Sequence, residues 1–172
     1  MRRLGQLLVG MTLFFVAISV VADPPEAGAT DTSVGTEAEL KAALTDLSSD
    51  VNGPHLVTLT ADITLTTGHA VYSGTQDLTI DGNGYSVSGN NASRVLYFPI
   101  LDGVTVTLQN IIVEDGKSPS GSGGYGGGIA VNAFGADGGD LVVINSIVRN
   151  NVSTGNDGGG ICVPYEGCLL YT

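Results

Sequence analysis

The sequence predicts an all-β chain wound as a parallel β-helix, a solenoid of short strands entered through one amphipathic helix. Three observations predict it. Leu108-Gln109-Asn110-Ile111-Ile112-Val113-Glu114-Asp115-Gly116 and Val143-Ile144-Asn145-Ser146-Ile147-Val148-Arg149-Asn150-Asn151 share one order of parts: apolar, variable, Asn, short strand, polar turn. Each is followed by a Gly-rich loop closing on three glycines and a strand, Gly126-Gly127-Gly128-Ile129-Ala130-Val131 and Gly158-Gly159-Gly160-Ile161-Cys162-Val163. The chain also holds 26 Gly with no three-residue period, beside 42% hydrophobic residues, a composition of many turns around a packed core.

The first element is a targeting signal. Arg2 and Arg3 precede a nearly continuous apolar run from Leu7 to Val21, too short to span a membrane comfortably. Ala22 supplies the small residue before a cleavage point, and Asp23-Pro24-Pro25 breaks any helix. Residues 1–22 therefore read as a secretory signal peptide, and the mature chain as one without a transmembrane span. Residues 23–35, rich in Pro, Ala, Gly, Asp and Thr, read as a flexible leader.

A helix follows over 36–50. Thr36 can cap its first free N–H groups, and Glu39 can reach back in a capping box. Leu40, Ala43, Leu44 and Leu47 give one apolar stripe, and Ser48 to Pro54 end it.

Short strands fill 51–172. Leu56-Val57-Thr58-Leu59, Ile63-Thr64-Leu65, Leu78-Thr79-Ile80, Tyr85-Ser86-Val87 and Val95-Leu96-Tyr97-Phe98 are β-rich pieces between turn residues. Weaker copies of the repeat open at 56 and 78, stronger ones at 106 and 141, and Leu169-Leu170-Tyr171 opens another. The expectation is about four coils under a capping helix, lacking a C-terminal cap and cut off in mid-coil at Thr172.

Stacking explains why such coils hold. A coil of three short strands cannot bury its own inner face, but at roughly 4.8 Å from the next it pairs its backbone and closes a core. Asn110 and Asn145 fall at equivalent positions, where their amides can stack as a ladder. The triple glycines suit positive φ and leave no side chain to obstruct the neighbouring coil. The helix can cover strand edges left open at the start.

The run from Glu39-Leu40-Lys41-Ala42-Ala43-Leu44 through Leu78-Thr79-Ile80-Asp81-Gly82-Asn83-Gly84 and Val106-Thr107-Leu108-Gln109-Asn110 to the Gly-Gly-Gly-Ile units resembles the right-handed parallel β-helix superfamily, with its pectate-lyase-like fold. It is most similar to the polymorphic outer-membrane-protein type of repeat in large bacterial surface proteins. The resemblance implies a right-handed coil and a secreted, cell-surface or outer-membrane location. It implies a non-catalytic scaffold segment of an adhesin-like or autotransporter-passenger-like protein. Its partners would be extracellular polysaccharide or a host or neighbouring cell surface. The alternative is the N-terminal part of a pectate-lyase-like polysaccharide lyase or glycoside hydrolase, with its active coils downstream.

Charge and motifs weigh on the chemistry. After cleavage at Ala22 only Lys41, Arg94, Lys117 and Arg149 stand against 17 acids. Such a surface repels phosphate backbones and excludes nucleic acid as a partner. Gly121-Ser122-Gly123-Gly124-Tyr125-Gly126 matches a dinucleotide-binding string, but a strand follows where that motif needs a helix. Gly135-Ala136-Asp137-Gly138-Gly139-Asp140-Leu141 is half of a calcium-binding repeat, and without tandem copies it reads as a plain turn. No cofactor is expected, with calcium the one candidate left open. Asp81 and Asp115, with Arg149, are the residues a lyase reading would use. Arg149 aligns with Glu114, however, and a surface ion pair accounts for it. His55 and His69 read as polar turn positions. Cys162 and Cys168 can pair as a disulfide across the turn at 164–167, or stay separate thiols. Asn91-Ala92-Ser93 and Asn151-Val152-Ser153 fit the glycosylation pattern, which arises easily by chance in such turns.

Overall fold

A computed structural model describes residues 30–120, 125–131, 138–155, 158–163 and 168–172. The signal peptide expected at 1–22 lies outside these residues, as does most of the expected leader. The described chain is mostly β, with one α-helix, and every pairing between its strands is parallel.

Strand β1 (Thr30–Val34) leads into helix α1 (Glu37–Ser49). Then come β2 (His55–Leu59), β3 (Ile63–Thr64), β4 (Ala70–Val71), β5 (Leu78–Asp81), β6 (Ser86–Ser88), β7 (Leu96–Phe98) and β8 (Thr105–Gln109). The chain continues with β9 (Ile112–Glu114), β10 (Ile129–Val131), β11 (Asp140–Ile144), β12 (Ile147–Arg149), β13 (Ile161–Cys162) and β14 (Leu169–Tyr171). A six-stranded sheet runs β1-β2-β5-β8-β11-β14; two four-stranded sheets run β3-β6-β9-β12 and β4-β7-β10-β13. From β2 onward the chain visits the three sheets in turn, and each strand pairs with the one three elements later. This is the arrangement of an all-β parallel solenoid.

Side-chain alternation decides what is buried. In the six-stranded sheet, Val57, Ile80, Leu108 and Val143 occupy one inward row, and Leu78, Val106 and Leu141 another. Ile63, Val87 and Val113 continue inward in the second sheet; Leu96, Phe98, Ile129 and Val131 do so in the third. All join one apolar cluster. Each such side chain contributes on the order of 1.5–3 kcal/mol by leaving water.

The helix matches its expected start. Thr36 Oγ1 accepts from Glu39 N–H at 3.3 Å, while Glu39 Oε2 accepts from Gly35 N–H at 2.9 Å, one residue before the cap. Leu40, Ala43, Leu44 and Leu47 are buried against the core cluster. The first turn is anchored by Glu37, whose carboxylate accepts from the N–H and hydroxyl groups of Thr66 and Thr67 and pairs with Lys41 at 2.8 Å.

Two readings are corrected. Thr30–Val34, expected as the end of the leader, is a strand paired with His55–Leu59. Its polar run hides the pairing because only Val34 is deeply buried, so it carries no apolar alternation. The first repeat also opens one residue earlier than expected: His55 pairs with Leu78, which turns Leu56 outward beside Thr79. His55 is therefore an inward residue, 2% exposed, and no turn position.

Candidate functional site

The polar residues expected to stack lie where the chain leaves the six-stranded sheet for the next. At this corner the N–H of Gly82 donates to Gln109 O, that of Asn110 to Ile144 O, and that of Asn145 to Thr172 O, so the three corners are in register. Asn110 and Asn145 turn the chain with φ of 51° and 45°. Among side-chain-bearing residues, Asn tolerates that left-handed conformation best, because its short amide can bond locally.

The same amides link neighbouring strands. Asn145 Nδ2 donates to Asn110 Oδ1 at 2.8 Å, and Asn110 Nδ2 donates to Asp81 Oδ1 at 3.2 Å. Gln109 Nε2 donates to Asp81 Oδ2 at 2.9 Å, and Asn83 N–H to Asp81 Oδ1 at 2.8 Å. Burial pushes the Asp81 carboxyl up, but the bonds from Asn83, Gln109 and Asn110 outweigh it and hold the group below the ordinary carboxylate value. Asp81 thus works as the acceptor at the base of the row. An ionised carboxylate can only accept, so it orients both amides above it.

Other outward carboxylates do similar work. Asp77 Oδ1 accepts from Thr105 N–H, and Asp140 Oδ1 from Cys168 N–H, each reaching the strand that starts the next passage. Asp62 Oδ1 accepts from the N–H and hydroxyl of Ser86. Glu114 and Arg149 are register partners, joined at 2.6 Å. At the next corner Asn151 Oδ1 accepts from Gly116 N–H and its Nδ2 donates to Val113 O, so this glycosylation-pattern amide is engaged on both sides, whereas Asn91 is exposed.

The lyase residues are not gathered. Asp81 closes β5, whereas Asp115 follows β9 at the opposite end of a strand in the second sheet, and Arg149 is held by Glu114. Among the described residues no group of three or more His, Cys, Asp or Glu is placed to hold a metal ion. Of the half calcium repeat, 135–137 lie outside the described residues. Of the dinucleotide-like string, 121–124 lie outside them; Tyr125 and Gly126 run into strand β10. Cys162 is half-buried and Cys168 exposed, both as thiols, and the turn at 164–167 lies outside the described residues. No described helix is long and apolar enough to cross a membrane.

One cluster escaped the sequence reading. Arg94 is 3% exposed, donates to the carbonyls of Tyr125 and Gly126, and stacks its guanidinium 5.0 Å from the Tyr97 ring centre. His69 meets Tyr97 edge-on at 5.7 Å. Burial, then the charges of Arg94 and Lys41, push the His69 imidazole below its usual value. The arrangement ties the Gly-rich loop to the outer side of β7. The local signal was Tyr97 alternating with Leu96 and Phe98, which marks an outward aromatic in need of cover.

No protein-family model, no curated protein and no solved structure matches the chain.

Proposed function

We propose that the chain is a scaffold segment of a secreted or surface-exposed protein, built as a right-handed parallel β-helix of about four coils under an N-terminal capping helix. The observation that carries this reading is the use of the outward polar groups. Asp62, Asp77, Asp81, Glu114 and Asp140 each bond a side chain or N–H on the adjoining strand. Carboxylates committed to neighbouring strands stiffen a stack; a catalytic pair needs carboxylates facing a shared substrate. The apolar run at Leu7–Val21 supports export, and the acidic composition supports solubility outside the cell. In this role the segment presents an elongated surface to extracellular polysaccharide or to another cell.

The reading that the described coils themselves work as a polysaccharide lyase is tested by one assay. The full chain is incubated with pectate and calcium while unsaturated products are followed by ultraviolet absorbance. The scaffold reading expects no release above a boiled control. Release that disappears in Asp81→Asn would overturn it.

A further inference from the structure

The two Asn-x-Ser segments of the sequence both leave the second sheet, and the fold uses them in opposite ways. Asn91-Ala92-Ser93 follows β6, and Asn151-Val152-Ser153 follows β12. At the second corner the amide belongs to the stack. Asn151 Oδ1 accepts from Gly116 N–H at 2.7 Å, and its Nδ2 donates to Val113 O at 3.0 Å. That nitrogen lies so close to Gly128 that a Cβ there would stand 2.7 Å from it.

At the first corner the stack uses only the backbone. Asn91 N–H donates to Asp115 O at 2.7 Å, and the N–H groups of Ala92 and Ser93 both donate to Gly89 O. Ser93 O accepts from Lys117 N–H at 2.8 Å. The Asn91 side chain stands outside this frame. Asn90, Asn91 and Ala92 are exposed, and the Asn91 amide bonds none of the described residues.

The Ser93 hydroxyl is the unexplained member. Its Oγ is buried and has no hydrogen-bond partner. Buried hydroxyls are normally bonded, and one left bare costs the fold more than a methyl group in its place. The folded corner therefore has no use for it. The Asn-x-Ser pattern does, because the hydroxyl two residues after the asparagine marks that amide for modification while the chain is still extended.

We infer that Asn91 is the acceptor of an N-linked oligosaccharide and that Asn151 is not. In the transfer, Asn91 Nδ2 bonds C1 of the first sugar of a lipid-pyrophosphate-linked oligosaccharide. The bond from C1 to the pyrophosphate oxygen breaks, the lipid pyrophosphate leaves, and Nδ2 gives up one proton. The corner then closes around the modified residue unchanged, since its tie to the stack is the backbone bond to Asp115 O. A sugar on Asn151 Nδ2 would have to break the bond to Val113 O or displace Gly128, so a chain modified there cannot close its corner. The inference rests on the export half of the scaffold reading, since the transfer belongs to a secretory pathway.

The test expresses the full chain in a eukaryotic cell line, once with its own residues 1–22 and once with the cell's secretion signal in their place. N-linked glycans are released by an amidase in heavy-oxygen water, which labels each acceptor for peptide mass spectrometry. The expected label is on Asn91 alone. Asn91→Asp keeps a side chain that tolerates φ of 53° and should abolish the glycan, as should Ser93→Ala. In the Asn91→Asp background, which carries no glycan, adding Ser93→Ala should leave the urea midpoint level or raise it. An unmodified Asn91 in the chain carried by the cell's signal would overturn the inference, and so would label on Asn151 of the folded, secreted chain. A urea midpoint lowered by Ser93→Ala would also overturn it, by giving the hydroxyl a role in the fold. If Asn91 is modified only behind the cell's signal, the site stands and the export reading fails, so the two failures are told apart.

Discussion

Replacing Asn110 separates the two roles of a corner asparagine. Asn110→Gly keeps a residue at ease with φ of 51° but deletes the amide. Two bonds go: the one accepted from Asn145 at 2.8 Å and the one donated to Asp81 at 3.2 Å. A neutral side-chain bond contributes about 1 kcal/mol net, and one to a carboxylate about 1.5–3 kcal/mol. Asp81 keeps Asn83 and Gln109, so the second bond counts at its lower end, and the expected loss is about 2–3 kcal/mol. Asn110→Ala loses the same bonds and also places a Cβ in the left-handed region, which costs roughly 1 kcal/mol more. Equilibrium urea unfolding of both variants beside the parent, with unchanged denaturant slopes, reads these values directly. The Asp81 carboxyl is held below its ordinary value in the folded state. Its contribution is therefore complete above the ordinary value and is lost as pH falls through the lowered one, and Asn110→Gly should shrink that acid loss. Asn110→Gly within about 0.5 kcal/mol of the parent would refute a stabilising ladder. Asn110→Ala no worse than Asn110→Gly would refute the conformational argument.

Three further outcomes follow from the same geometry. Glu37→Gln breaks the pair with Lys41 and leaves one neutral acceptor for Thr66 and Thr67, so the helix should loosen at a cost of about 2 kcal/mol, seen by hydrogen exchange in α1. Lys41 first, then Thr66, hold the Glu37 carboxyl far below the usual range, so the parent helix should stay docked as pH falls through the ordinary carboxylate values and loosen only beneath them. His69 is pushed below its usual value by burial, so the unfolded chain takes up its proton first. Stability should therefore fall as pH drops below about 6.5, and His69→Gln should flatten that slope in thermal melts at pH 7.5 and 5.5. Gly127→Ala would drive a Cβ into the Val152 carbonyl and should cost about 1–3 kcal/mol or more, whereas Gly68→Ala, with open space but φ of 104°, should cost about 1 kcal/mol, compared in the same urea titrations.

Much of this fold is legible in order along the chain because its cause is local. The alternation of Leu78, Ile80, Val106 and Leu108 with polar neighbours sets two faces, and stacked copies then share one register. An Asn just before a strand is the residue that both turns left-handed and offers an amide, so Asn110 and Asn145 announce their corner and their row together. The triple glycines do the same: Gly126 has φ of 49°, and a Cβ on Gly128 would stand 2.6 Å from Gly160 O. Helix α1 follows from Thr36, Glu39 and one apolar stripe.

Tertiary structure alone decided the rest. Leu56 and His55 are adjacent, and only the pairing of His55 with Leu78 settles which faces the core. A slip of one residue exchanges the two faces, and the apolar Leu56 pointed the wrong way. Thr30–Val34 is a strand because β2 offers it an edge, not because its side chains alternate. Arg94 is buried because a loop 31 residues away brings carbonyls to its guanidinium. The direction of the amide row depends on Asp81 meeting Asn110 across two strands. The sequence by itself determined the repeat, its glycine corners and its asparagines, since these follow from backbone conformation at single residues. Which side chains meet, and in which direction the amide row runs, required strands distant in sequence to be set beside one another.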